Sequence, residues 1–185
     1  MSLVLLRRYR QLMALIPELF DPKNAGTLLY VGACPQRCHY STELYKIGHK
    51  ITVLEIWPEA VEGLKKTRWW GNFEHVICGD VRKVAEIELP YAKYDYIFWW
   101  HGPEHIDCSE FPDTVQGLES ITTQLVVMGS PWGIAPGGIA YGNDANRHRS
   151  YLYYEDYARL RYEVAALGPK NRGGSNLLAW KWIKK

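Results

Sequence analysis

The chain has 185 residues, enough for one domain with a buried core and too few for two comfortable ones. Its 22 basic and 20 acidic side chains leave a formal charge of +2, so no summed field favours a polyanionic partner or a membrane surface. The most apolar N-terminal stretch, LVLLRRYRQLMALIPELF, is broken by Arg7, Arg8 and Arg10, which argues against a signal segment or membrane span and points to a cytoplasmic protein.

Leu5, Leu6, Tyr9, Leu12, Met13 and Ile16 recur at helical spacing with arginines on the other face, predicting a helix within residues 1–20. Apolar, β-branched runs then alternate with helical stretches in a βαβα order. TLLYVGA (27–33) reads as a buried strand, STELYKIG (41–48) as a helix and KITVLEI (50–56) as a second strand. PEAVEGLKKT (58–67) follows as a helix with Pro58 in its first turn. FEHVICGD (73–80) is a third strand, with a short helix around VRKVAEI behind it. YDYIFWW (94–100) is a fourth strand, FPDTVQGLESITT (111–123) a helix and QLVVMGS (124–130) a fifth strand. This spacing is that of right-handed crossovers in a parallel sheet. YYEDYARL (153–160) reads as a short helix, and YEVAALG (162–168) and SNLLAWKWI (175–183) as strands joined by the loop PKNRGG. Those two strands predict an antiparallel hairpin at one edge. The expected architecture is an α/β doubly wound sheet, mostly parallel, in one domain spanning 1–185 with its α/β core over 27–183.

Ligands of such sheets bind outside the carboxyl ends of the strands, where strand order reverses. The first strand ends in Gly32-Ala33-Cys34. The second ends in Glu55-Ile56, with Glu55 lying 23 residues after Gly32, where a carboxylate accepts both hydroxyls of a ribose. The third ends in Gly79-Asp80-Val81 and the fourth in Trp99-Trp100-His101. A dinucleotide pyrophosphate wants a GxGxxG loop and a free helix N-terminus, whereas Cys34, Pro35, Gln36 and Arg37 follow here. S-adenosylmethionine carries no phosphate, and a single glycine with small neighbours lets the backbone approach it closely. Asp80 suits the adenine amino group, and Trp99 or Trp100 offers a π-face to adenine or the sulfonium.

The ordered series LLYVGA, VLEI, VICGDV, YDYIFWWHGPEHI and LVVMGSPWG resembles the class I S-adenosylmethionine-dependent methyltransferases over roughly residues 27 to 183. NRHRSYLYYEDYARLRYEV is similar to a tail present in a subset of those enzymes. The resemblance implies a Rossmann-like fold, S-adenosylmethionine as cofactor, and cofactor contacts at Gly32, Ala33, Cys34, Glu55, Ile56, Asp80, Val81 and Trp100. It places acceptor entry near His148 and Ser150, in the polar loop after the fifth strand. The family loop carries an acidic residue and three glycines, where this chain has Tyr30, Gly32, Cys34 and Gln36.

His101, at the cleft mouth, is a candidate general base for an attacking hydroxyl or amine. Each assignment has a structural counterpart. Gly32 also suits a tight turn, Asp80 a helix cap, the tryptophans core packing, and His148 and Ser150 structural hydrogen bonds. Four cysteines without paired CxxC spacing predict buried, reduced thiols and no metal. With no basic excess and no Asn-Pro-Pro-Tyr type motif, the expected partner is a small-molecule acceptor rather than nucleic acid. Eight tryptophans and thirteen tyrosines suit either an aromatic acceptor site or a homo-oligomer interface. Two rivals stand beside this reading. One is an inactive, methyltransferase-like binding protein whose pocket is filled by Tyr30, Cys34 and Gln36, and the other is a nicotinamide-dependent oxidoreductase, which the loop disfavours.

Overall fold

Seven apolar runs become strands: β1 (Thr27–Val31), β2 (Lys50–Glu55), β3 (Phe73–Cys78), β4 (Tyr94–Trp100), β5 (Thr122–Pro131), β6 (Glu163–Leu167) and β7 (Asn176–Trp182). In the computed structural model, which describes residues 3–35, 38–135, 137–138, 143–167 and 175–183, they form one sheet of order β3-β2-β1-β4-β5-β7-β6. The first five strands pair in parallel, and β7 runs antiparallel between β5 and β6. The strand order reverses beside β1, whose neighbours are β2 and β4, so a crevice opens at their carboxyl ends.

β1, β2 and β4 are buried along nearly their whole length because elements cover both faces of the sheet. Alternation along the strands sends Tyr30, Tyr96, Phe98 and Trp100 to one face, against Leu12, Ile16, Leu19 and Leu44. These come from α1 (Leu3–Leu15), the turn after it, and α2 (His39–Ile47). Leu29, Val31, Ile97, Trp99 and Met128 point to the other face, against Phe111, Val115 and Leu118 of α4 (Phe111–Ser120) and Tyr157 of α5 (Tyr154–Arg159). α3 (Pro58–Leu64) buries Ala60 and Leu64, with Pro58 at its start as expected.

Several expectations are corrected. α1 stops before Pro17, whose ring disfavours helical backbone at Ile16 (φ −135°, ψ 63°), and a short 3-10 turn replaces its last part. Met13, one step round from buried Leu12, is exposed, and the side chains of Leu5 and Leu6 lie outside the described residues. The segment VRKVAEI forms a single 3-10 turn, Val81–Lys83, closed when the Asp80 carboxylate accepts the Arg82 N–H. The hairpin is present, and its second strand lies inside the sheet while β6 forms the edge. Residues 168–174 of its loop lie outside the described residues. None of the four cysteines is in a disulfide, but only Cys38 is buried, while Cys78 and Cys108 are exposed.

At the end of the sheet opposite the crevice, Asp95 ties three strands together. One carboxylate oxygen accepts from the Thr27 N–H and hydroxyl, both at 3.0 Å. The other accepts from the Thr123 hydroxyl at 2.9 Å and the Gln124 amide at 3.2 Å. A Cβ at position 26 would lie 2.5 Å from Asp95 Oδ2, which is why Gly26 is needed there. Partial burial pushes the Asp95 carboxyl up, but these donors outweigh it and hold the pKa below its ordinary 3.8. Asp95→Ala is therefore expected to lower the unfolding free energy by about 1–3 kcal/mol in urea titrations. Because the native pKa is depressed, that difference is present above pH 3.8 and narrows as the pH falls below it.

Candidate functional site

The crevice holds a cavity of about 650 Å³, within the size range of small-molecule sites. Gly32 leaves β1 with φ +76°, a backbone state that favours glycine, and its N–H donates to the Leu54 carbonyl at 2.9 Å. Among the described residues, and apart from its own chain neighbours, no atom lies within 4 Å of the place a Cβ would occupy at Gly32, which leaves open space beside it.

Glu55, at the end of β2, lines this space yet is only 7 % exposed. One of its oxygens accepts from the Trp57 N–H at 2.9 Å. Burial pushes its carboxyl from 4.5 up to about 7, against the opposing effect of the Trp57 and Ile56 N–H groups. Ile56, which is exposed, and Val81 present apolar surface to the same cavity.

Asp80 also faces the cavity, so the two carboxylates lie on one side of the sheet end. Its oxygens are already engaged. Arg82 donates its backbone N–H at 3.0 Å and its guanidinium at 2.6 and 2.9 Å, then bridges to Glu110 at 3.0 Å. Burial would raise the Asp80 carboxyl, and Arg82 more than compensates, leaving it below the usual range. A ligand amino group must therefore share Asp80 with Arg82, a partner that the sequence reading missed. The Asp-x-Arg spacing signalled only a cap.

Trp99 and Trp100 reach the cavity from opposite faces of β4. Trp100 stacks on Phe98 with ring centres 5.8 Å apart and meets Tyr40 edge-on at 5.1 Å. Both indoles are thus core residues that also contribute wall. Cys34 borders the cavity, but Ala33 is fully buried in the core and is not part of its lining. Ser150 is not part of the lining either. It is buried, its hydroxyl donates to the Pro103 carbonyl at 3.4 Å, and it does not reach the cavity. His148 does line it.

His101 takes a left-handed backbone (φ 52°), a state that costs a non-glycine residue about 1–2 kcal/mol. Its Nδ1 faces Glu104 Oε1 at 3.1 Å, and its Nε2 faces the Asn176 amide nitrogen at 2.9 Å. With Nδ1–H donating to the carboxylate and Nε2 accepting from the amide, both ring nitrogens are engaged in this arrangement. Service as the general base expected from the sequence would require an acceptor to displace Asn176 from Nε2. Glu104 is buried, which would raise its pKa, but His101 and the nearby His105 outweigh this and hold it low. Glu104 lies within the segment YDYIFWWHGPEHI, where the sequence reading assigned it no role, and Asn176, 75 positions from His101, belongs to no spacing motif.

No family model matches the chain, and no curated protein matches it in sequence. Solved structures do match. N-methyltransferase NodS from Bradyrhizobium japonicum WM9, in complex with S-adenosyl-L-homocysteine, is 14 % identical with a TM-score of 0.63, covering 96 % of this chain and 88 % of NodS. Magnesium protoporphyrin IX methyltransferase (ChlM) from Synechocystis PCC 6803, with bound S-adenosylmethionine, is 13 % identical with a TM-score of 0.64, covering 100 % and 85 %. A Rhodobacter sphaeroides chain described provisionally as a Zn-dependent alcohol dehydrogenase is 11 % identical with a TM-score of 0.66, covering 92 % and 88 %. The fold is thus that of the class I methyltransferases, a Rossmann-like sheet ending in an antiparallel hairpin. Among the described residues no helix is long and apolar enough to cross a membrane.

The raised Glu55 pKa carries a stability consequence. The folded chain holds this proton more tightly than the unfolded one, so stability falls as pH rises from 4.5 through about 7. At about 1.4 kcal/mol per pKa unit, the loss is about 3 kcal/mol. Urea unfolding across that window is expected to show Glu55→Gln gaining on the wild type by this order as the pH increases.

Proposed function

We propose that the protein is an S-adenosylmethionine-dependent methyltransferase acting on a small-molecule acceptor. The observation that carries this reading is the open space beside Gly32, bordered by the buried carboxylate of Glu55. A ribose with two vicinal hydroxyls matches a carboxylate at the end of β2, and each hydroxyl it donates replaces water that burial has already removed. Ile56 and Val81 supply apolar surface suited to a purine, and Asp80 a carboxylate for its amino group once Arg82 yields a lone pair. The absence of a phosphate-cradling glycine loop favours this cofactor over a dinucleotide.

The geometry also speaks against a filled, inactive pocket. Tyr30 is buried in the core with its ring 5.2 Å from Phe98, and Cys34 borders the cavity without closing it. Gln36 lies outside the described residues. The bound cofactor would supply a methyl group activated by its sulfonium, which leaves the chain the task of holding acceptor and methyl in line. His101, locked between Glu104 and Asn176, forms a fixed wall for that purpose. His148 and Arg149 line the same cavity, which supports acceptor entry on their side.

Calorimetric titration tests the proposal. S-adenosylmethionine and S-adenosylhomocysteine are expected to bind near micromolar, about −8 kcal/mol, and Glu55→Ala to weaken both by at least about tenfold. Absence of binding by folded protein to either ligand would overturn it.

A further inference from the structure

Methyl transfer as described uses Glu104 only to hold His101 and His148 only as cavity wall, and it leaves His105 without a task. One potential ligand atom of each lies within 4.8 Å of those of the other two. Glu104 is 2 % exposed, and while its Oε1 takes His101, its Oε2 is buried with no hydrogen-bond partner among the described residues. An unpaired buried carboxylate oxygen is costly, and the carboxylate that carries it belongs to a cluster with two imidazoles. His105 donates Nδ1–H to the Arg147 carbonyl at 3.1 Å, and His148 donates Nδ1–H to the Ala135 carbonyl. Each carbonyl fixes the tautomer and leaves the Nε2 lone pair free. Histidines that bind metals are commonly oriented this way. His105 Nε2 lies 4.0 Å from Glu104 Oε1, and the two imidazole rings are 5.1 Å apart and steeply inclined.

We propose that Glu104, His105 and His148 bind a divalent first-row transition-metal ion, with Zn²⁺ as the representative case, in the wall of the cavity. Two imidazoles and one carboxylate select such ions over Mg²⁺ or Ca²⁺, which favour oxygen ligands throughout. Zinc bonds of about 2.0–2.1 Å would draw the three atoms to separations of about 3.3 Å, so the set closes by up to about 1.5 Å on binding. His148 joins the Glu104-His105 pair from the segment between β5 and α5. His101, donating to Glu104, orients the carboxylate from behind. Three protein ligands leave a coordination position for a cavity-side donor. The site stands without the methyltransferase reading, and only its use in anchoring an acceptor oxygen or nitrogen rests on it. No sequence signal exposed it, since a Glu-His pair and one distant histidine make no motif.

The test uses tag-free, full-length protein stripped with a chelator. Equilibrium dialysis is expected to give one Zn²⁺ per chain at micromolar affinity or tighter, weakened at least about tenfold by His148→Ala and by His105→Ala. Circular dichroism checks that both variants fold. The Co²⁺ derivative is expected to show d–d bands of a nitrogen and oxygen site, a readout that needs no variant. Substoichiometric binding, an affinity indifferent to both substitutions, or a thiolate charge-transfer band placing the ion on Cys78 or Cys108 would overturn the proposal. Because the probes are the metals alone, failure here and failure of the S-adenosylmethionine titration are separate results.

Discussion

Everything at the candidate site depends on how the chain leaves β1. The Gly32 N–H continues the ladder by donating to the Leu54 carbonyl, and its positive φ then carries the backbone away from the sheet. A side chain there would be strained by that backbone even though space is available for it. The turn keeps β1 short of its neighbours, and the resulting gap between the ends of β2 and β4 becomes the cavity. Without this exit the parallel order β3-β2-β1-β4-β5 would still bury its core, but its switch point would be closed.

The cavity's electrostatics divide along the same line. On the β2 and β3 side, one carboxylate is raised by burial and the other is held ionised by Arg82. On the β4 side, a buried carboxylate is embraced by histidines, one of them fastened by Asn176 of the inserted strand β7. The C-terminal hairpin therefore does more than extend the sheet. By lying antiparallel against β5 it brings Asn176 to the mouth of the crevice, 2.9 Å from His101 Nε2. A left-handed histidine held by two partners is a strained residue retained by its surroundings, a pattern that clusters at working sites.

The strand framework was legible in the sequence because β1, β2, β4 and β5 are buried on both faces and read as continuous apolar runs. β4 lies at 94–100, as the sequence predicts, and Gly32, Glu55 and Asp80 fall at strand ends where periodicity alone can locate them. What escaped was tertiary. The exposure of Met13 depends on how α1 is rotated, and the engagement of Asp80 depends on a side chain two residues away. Ala33 and Ser150 look like ligand contacts from their place in the chain, yet packing turns them inward. His101 has the chemistry of a base, but its ring nitrogens meet Glu104 and Asn176, the latter 75 positions away.

The most direct measurement is a crystal structure of the protein with S-adenosylhomocysteine. The account predicts the ribose hydroxyls within hydrogen-bonding distance of Glu55, the adenine against Ile56 and Val81, and the amino-acid tail passing the open side of Gly32. A ligand bound elsewhere, or a Glu55 carboxylate that makes no contact with the ribose, would contradict it.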